Sequence, residues 1–268
     1  MNINAQSNVD SLLLTKTEWV NKDLDYLRFF NDTVVYNLNE TKHQLLFDVE
    51  NRKLSFKVNY RVGGSGLRTE EFKFSIKELK KDKLVIEPIL EKQNKSYSKI
   101  NYSPLSKEKQ YIFYNRGHLL SSVNFKKITF HTSTCFGRCP SMSIQINIDG
   151  TVYYQGRMYT NEYKGNFVGS ISKNDIYQLK KILNRSQLAE INKNWVQRSK
   201  HNDTPRYNYI IELFDGETIE INTNDQHPVL DKLSAYFINI PEIASLVKAK
   251  EKHKFEKSHL DYYKVSQN

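Results

Sequence analysis

The sequence predicts a mainly β, barrel-like N-terminal domain followed by an α+β domain with an antiparallel sheet and two helices. Three observations carry this. Residues 19–118 alternate short apolar runs with turn residues, the pattern of many short antiparallel strands. Residues 125–247 combine two hairpin signatures with two amphipathic helical stretches, and such helices need a sheet to bury their apolar stripe. Finally, a hydrophobic content of only 38% is offset by 17 Tyr and 14 Phe in 268 residues, enough aromatic bulk for two separate cores.

Residues 1–18 read as a flexible N-terminus. The opening Met-Asn-Ile-Asn-Ala-Gln matches the end of a bacterial secretory signal with cleavage between Ala5 and Gln6, but no basic or apolar segment precedes it. Two readings stay open: a cytoplasmic protein, or an exported, periplasmic one whose start codon was placed too late. No apolar run approaches the ~18 residues of a membrane span, so no transmembrane segment is expected and the chain reads as soluble.

Strands are expected at 26–30, 33–36, 45–49, 54–60, 72–76, 84–87 and 109–115, after an early Trp19. Phe30, Phe47, Phe56, Phe72 and Phe74 are expected to point inward and fill the barrel. The polar stretch 91–109 reads as a long loop, and the boundary between domains falls between Arg116 and Asn124. The second domain opens with the strand Phe125 to Phe130. Two hairpins follow. A two-residue Asp149-Gly150 turn would split the apolar set between faces. A three-residue loop of Ile148, Asp149 and left-handed Gly150 puts Ile144, Ile146, Val152 and Tyr154 on one face. The same arithmetic at Phe214-Asp215-Gly216 pairs Ile211 with Ile219 and Tyr209 with Ile221.

Ser172, with Asp175 three residues on, is an N-cap ahead of the stripe Ile176, Leu179, Ile182 and Leu183. Pro228 starts the second helix, with Leu230, Leu233, Tyr236 and Phe237 inward. Residues 248–268 form a basic C-terminal tail, six lysines against three acids, read as a solvated end or a helix extension. A net charge of +10 permits contact with an anionic surface or nucleic acid. Both signs are interspersed, which favours a solvated surface over nucleic acid.

The only two cysteines, Cys135 and Cys139, bracket Gly137 and admit several chemistries. A disulfide can close across the glycine turn in an oxidising compartment. Buried reduced thiols suit a cytoplasmic protein. A copper or zinc site could use His131, Cys135, Cys139, His201 and His227, since thiolate and imidazole suit those ions. Thiol redox or nucleophilic catalysis would need one of those histidines as base, with Arg138 lowering a thiol pKa, although dithiol exchange usually places two residues between the cysteines, not three. Asp149, Asp203 and Asp215 sit in turn contexts, so no carboxylate pair for acid–base work is seen. The aromatic-rich surroundings, Phe136, Arg138, Tyr153, Tyr154 and Tyr159, are candidates for a partner surface.

Two resemblances extend these readings. Trp19, Tyr26-Leu-Arg-Phe-Phe-Asn-Asp32, Phe72-Lys-Phe-Ser-Ile-Lys-Glu-Leu79 and Asp82-Lys-Leu-Val-Ile86 resemble bacterial lipocalin-like domains, although Thr17 stands where that family usually has glycine. That resemblance implies a small barrel able to enclose a small apolar ligand. The string Cys135-Phe-Gly-Arg-Cys139-Pro140, followed by Asp149-Gly-Thr-Val-Tyr-Tyr-Gln-Gly156, resembles a bacterial domain-of-unknown-function family marked by Cys-Phe-Gly-x-Cys-Pro and Asp-Gly-x-Val-x-Tyr-x-Gly. Ser141-Met142 departs from it. The resemblance covers about Phe125 to Leu246 and implies an exported setting, often as a lipoprotein, but no activity. Together these readings point to a two-domain bacterial binding or structural protein with no reaction of its own, no cofactor, and a loop stapled at Cys135 and Cys139. The partner is either a small apolar ligand or a protein. A thiol-redox or copper/zinc protein is the alternative, and binding to an anionic surface or nucleic acid the second alternative.

Overall fold

The computed structural model describes residues 13–38, 41–62, 66–89, 108–119, 121–188, 190–191, 204–224 and 226–257. The chain divides into two compact units, 1–120 and 121–268.

The first unit is a closed antiparallel barrel of eight strands in chain order: β1 (Glu18–Val20), β2 (Tyr26–Phe30), β3 (Thr33–Leu38), β4 (Thr41–Glu50), β5 (Lys53–Val62), β6 (Gly66–Leu79), β7 (Lys83–Pro88) and β8 (Tyr111–Asn115). β1 pairs with both β2 and β8, and Trp19 opposite Asn115 closes the ring. A three-residue strand has too short a period to be seen in the sequence, so β1 was not among the expected strands. The alternation of each strand sends Leu27, Phe29, Leu54, Phe56, Phe74, Ile76 and Phe113 inward. Their rings touch in sequence: Phe29 to Phe56 at 6.2 Å, Phe56 to Phe74 at 5.3 Å, Phe74 to Tyr111 at 6.4 Å. Phe47 and Phe72 pack against this cluster, as expected. Phe30 does not. It is 38% exposed and lies under the Arg28 guanidinium, because the inward parity of β2 belongs to Leu27 and Phe29. The expected loop at 91–109 falls almost wholly outside the described residues.

Trp19 is fully buried, although its indole N–H finds no partner among the described residues. Burying about 200 Å² of ring contributes about 5 kcal/mol, which outweighs the about 1–3 kcal/mol cost of an unmet donor. Arg116, just past β8, is 2% exposed and donates to Glu18 Oε2 at 3.0 Å. Its backbone N–H reaches the Glu18 carbonyl. A buried charge held at the closing seam ties the last strand to the first.

The second unit is a seven-stranded sheet in the order β14-β13-β9-β10-β11-β12-β15. Its strands are β9 (Phe125–Thr132), β10 (Ser141–Asn147), β11 (Thr151–Met158), β12 (Gly165–Ser170), β13 (Tyr207–Leu213), β14 (Thr218–Thr223) and β15 (Ser245–Lys248). The helices are α1 (Lys173–Asn184), α2 (Asp231–Ile238) and the short α3 (Ile240–Ile243). Both hairpins adopt the expected register: Ile144 faces Tyr154, Ile146 faces Val152, Tyr209 faces Ile221 and Ile211 faces Ile219. Gly150 and Gly216 carry the positive φ, 93° and 89°, that these loops require. α1 begins with the expected capping box of Ser172 and Asp175. Pro228 opens a short 3-10 turn that leads into α2. Phe237 of α2 stacks on Phe130 at 4.7 Å, and Tyr236 reaches back to the Asp175 carbonyl of α1. One face of the sheet is thus apolar and lies under helices. Tyr154, 2% exposed, belongs to it, and burial pushes its phenol up to about 12. It is a core residue, not part of a partner surface.

Two substitutions test these seams. Glu18→Ala strips the buried Arg116 of its carboxylate and should cost the first unit about 3 kcal/mol, read by denaturant unfolding; an unchanged midpoint contradicts the role of the seam. A Cβ at Gly156 would collide with the Tyr163 carbonyl, so Gly156→Ala should cost the second unit about 1–3 kcal/mol, read as a lowered thermal midpoint.

Candidate functional site

Two features of the second unit gather chemistry-bearing side chains. The first is the loop between β9 and β10. Its base is fixed by short bonds: Thr132 Oγ1 donates to the Pro140 carbonyl at 2.6 Å, Met142 N–H donates to Thr132 Oγ1, Ser133 N–H donates to the Arg206 carbonyl, and Arg206 N–H donates to Ser133 Oγ. Cys135 and Cys139 are joined by a disulfide with their Cα atoms 5.5 Å apart, and Cys135 Sγ also accepts the Gly137 N–H. The tip carries Phe136, 92% exposed, with Arg138 exposed beside it. Because Ser141 pairs with Met158, the exposed Met158 and Tyr159 sit at the same end of the sheet. Tyr159 holds a left-handed φ of 55°, a conformation that costs a tyrosine about 1–3 kcal/mol and persists only where its surroundings enforce it.

The second feature is the face of the sheet opposite the helices. Strand register lines up Asn166, Gln155, Ser143, His131, Asn208 and Asn222 in one row across six strands. His131 Nδ1 is 2.7 Å from Ser143 Oγ, and Arg157 donates to the same oxygen. Ser143 Oγ thus joins the guanidinium to the imidazole on this face. The next row holds Tyr153, Gln145 and Thr129.

The segment after β15 does not run into solvent or extend a helix. Ala249 N–H bonds the Asn166 carbonyl, and the chain then crosses the polar face. His253 stacks on Tyr153 with ring centres 3.8 Å apart and planes 9° from parallel, its Nε2 3.1 Å from Gln145 Oε1. Phe255 stands edge-on to His131, and Glu256 pairs with Lys127, which also holds Glu212 at 2.9 Å. The expectation of a solvated tail from 248 is corrected as far as residue 257. His253 and Phe255 alternate within the lysine run and supply the anchors. Partial burial and the nearby Lys127 charge lower the His253 pKa below its usual value.

The expected metal set does not come together. The two thiols are spent on each other, and the His227 Nδ1 accepts the Val229 N–H as a helix cap. His131 is engaged with Ser143, and His201 lies outside the described residues, as does Asp203. Among the described residues no three His, Cys, Asp or Glu side chains are grouped as a metal would need. Asp149 and Asp215 each accept a backbone N–H two residues on, the turn role expected of them. Of the partner-surface residues, Phe136, Arg138 and Tyr159 share one end of the sheet, Tyr153 lies under His253, and Tyr154 is buried. The polar face of the sheet, with Ser143, Gln145 and Arg157, was not read from the sequence, although the same alternation that aligned the apolar face marks it.

Residues 126–244 match a family described as a domain of unknown function (DUF6438), and such a domain spans that stretch. The searches of curated proteins and of solved structures found no match. Among the described residues no helix is long and apolar enough to cross a membrane.

Replacing Cys135 and Cys139 by serine should cost about 2 kcal/mol, the chain entropy of so short a closed loop, and leave the circular dichroism of the sheet intact; loss of the whole fold contradicts a local staple. The depressed pKa of His253 sets a pH dependence. Its neutral form is the seated one, with Lys127, Glu256, Tyr153 and Gln145 around it. The stability that wild type gains over His253→Ala is therefore full above about pH 6.5 and declines as pH falls through the lowered value. A difference in thermal midpoint that is constant from pH 8 to pH 5 contradicts this.

Proposed function

We propose that the chain is a two-module bacterial binding protein of an oxidising, exported compartment, with no reaction of its own. On this reading its second module docks on a partner protein through the disulfide-closed loop. The observation that carries the reading is Phe136: a phenylalanine 92% exposed at the tip of a loop closed by a disulfide and clamped at its base. An exposed large apolar side chain costs solubility without helping the fold. Holding it on a rigid loop lowers the entropy lost on docking. Arg138 beside it, and Met158 and Tyr159 at the same end of the sheet, supply the aromatic and arginine chemistry that dominates binding hot spots. The fitting partner offers an apolar pocket with an acidic rim.

A small apolar ligand within the first module, as a lipocalin-like barrel would bind, is the second reading. The rings in contact from Phe29 to Tyr111 favour a filled core over it. A site for nucleic acid or an anionic surface is favoured less again, because Lys57, Lys73, Lys77, Lys80, Lys83, Lys126 and Lys127 are each paired with an acid.

Benzoylphenylalanine placed at position 136 should photocrosslink in native cells to one envelope protein, and a synthetic disulfide-closed peptide of residues 133–141 should compete for it. With that protein purified, Phe136→Ala should weaken binding by about 2 kcal/mol, roughly thirtyfold. Binding that neither Phe136→Ala nor reduction of the loop changes contradicts the reading.

A further inference from the structure

Residues 249–257 form a strap across the polar face, and its sequence carries a charge imbalance that the fold holds in one place. Lysine stands at 248, 250, 252 and 254, and the only acids from there to residue 257 are Glu251 and Glu256. Glu256 is committed to Lys127. All four lysines are exposed, and none of them pairs with an acid among the described residues. In this they differ from the paired lysines of β6, β7 and β9. The same four lysines line a cavity of about 510 Å³, together with Tyr153 and Asn166, and Glu251 is the one acid among the residues around it. That volume lies within the ~300–1,000 Å³ of small-molecule sites.

The strap carries these charges on an anchored backbone. β15 sets Lys248 opposite Phe167 on β12, the Ala249 N–H bonds the Asn166 carbonyl, and His253 lies flat on Tyr153. Lys250 and Lys252 therefore sit between two anchors, with Lys248 and Lys254 flanking them. Bringing four ammonium groups to one cavity costs self-repulsion, which no ion pair of theirs offsets among the described residues. An anion in the cavity would remove that repulsion and meet donors already in place, with little ordering entropy left to lose.

The residue types narrow the anion. An arginine fork matches a planar carboxylate, whereas a lysine ammonium is a compact point charge with three donors and a common partner of phosphate. Four lysines and no arginine line the cavity. Asn166 Oδ1 accepts from the Gln155 amide, which leaves the Asn166 N–H groups to donate. We propose that the cavity where the strap leaves β15 is a site for a phosphate-bearing ligand, held by Lys248, Lys250, Lys252 and Lys254. The site shares no residue with Phe136, Arg138, Met158 and Tyr159 and does not rest on the reading of the disulfide-closed loop. Phosphate of this kind has two sources, a soluble phosphorylated compound or the headgroup of an anionic phospholipid.

The test uses the full chain and one probe for each source. In heteronuclear NMR, titration with tripolyphosphate should give saturable shifts of the Asn166 side-chain amide and the His253 ring. Lys250→Ala/Lys252→Ala should weaken binding about tenfold, roughly threefold for each exposed ion pair lost. Lys22→Ala/Lys53→Ala, which removes the same charge from exposed positions of the first unit, should leave it unchanged, as should Phe136→Ala. Flotation with vesicles of phosphatidylglycerol and phosphatidylcholine in equal parts, against phosphatidylcholine alone, separates the sources. Binding to the anionic vesicles that Lys250→Ala/Lys252→Ala abolishes assigns the lipid headgroup, and tripolyphosphate binding without vesicle binding assigns a soluble ligand. The proposal is overturned if neither probe binds. It is equally overturned if Lys22→Ala/Lys53→Ala weakens binding as much as Lys250→Ala/Lys252→Ala, since net charge alone then accounts for it, or if tripolyphosphate saturates the protein without shifting Asn166 and His253.

Discussion

The second unit depends on one constraint, the period of two along β9, β10 and β11. In a strand a slip of a single residue exchanges the two faces. Here Gly150 prevents the slip: its positive φ permits the three-residue loop that sets Ile146 opposite Val152. With that register in place, Phe130, Ile144, Val152 and Tyr154 share one face and make a floor for α1 and α2. The same step sends His131, Ser143, Gln145 and Tyr153 to the other face, where they cannot be left dry and unpaired. The helices answer the first face and the strap answers the second.

The two units solve the problem of a sheet's second face differently. The barrel closes on itself, so its inner face carries the aromatic core, with the buried Arg116 and Glu18 pair at the seam. The open sheet has two faces to cover. Helices suit an apolar face because they bring a stripe of leucine and phenylalanine. A polar face is better served by an extended segment with few, separated anchors. His253, Phe255 and Glu256 are such anchors, the first meeting β11 and the other two meeting β9.

Much of this was legible in the chain. Alternation gave most strands of the barrel and both hairpins, and Ser172 with Asp175 gave the start of α1. What was missed had a physical reason in each case. β1 is three residues long, below the length at which a period can be recognised. Phe30 and Phe29 are adjacent aromatics, and only the pairing of β2 within the closed barrel decides which points inward. The sequence of the tail is dominated by lysines, whose charge hides two ring-bearing residues at strand-like spacing. The polar row exists only after five strand registers are set, since Ser143, His131 and Asn208 are distant in sequence. The disulfide was one of several open chemistries for Cys135 and Cys139, and the geometry of the loop selects it.

The central claim is that the strap is seated on the polar face with His253 flat on Tyr153. Proton NMR of the His253 ring tests it most directly. In the seated arrangement the ring current of Tyr153 moves the imidazole Hδ2 and Hε1 resonances well upfield of their random-coil positions, and Tyr153→Leu returns them. Random-coil shifts in the wild-type protein, unaltered by that substitution, would contradict the account.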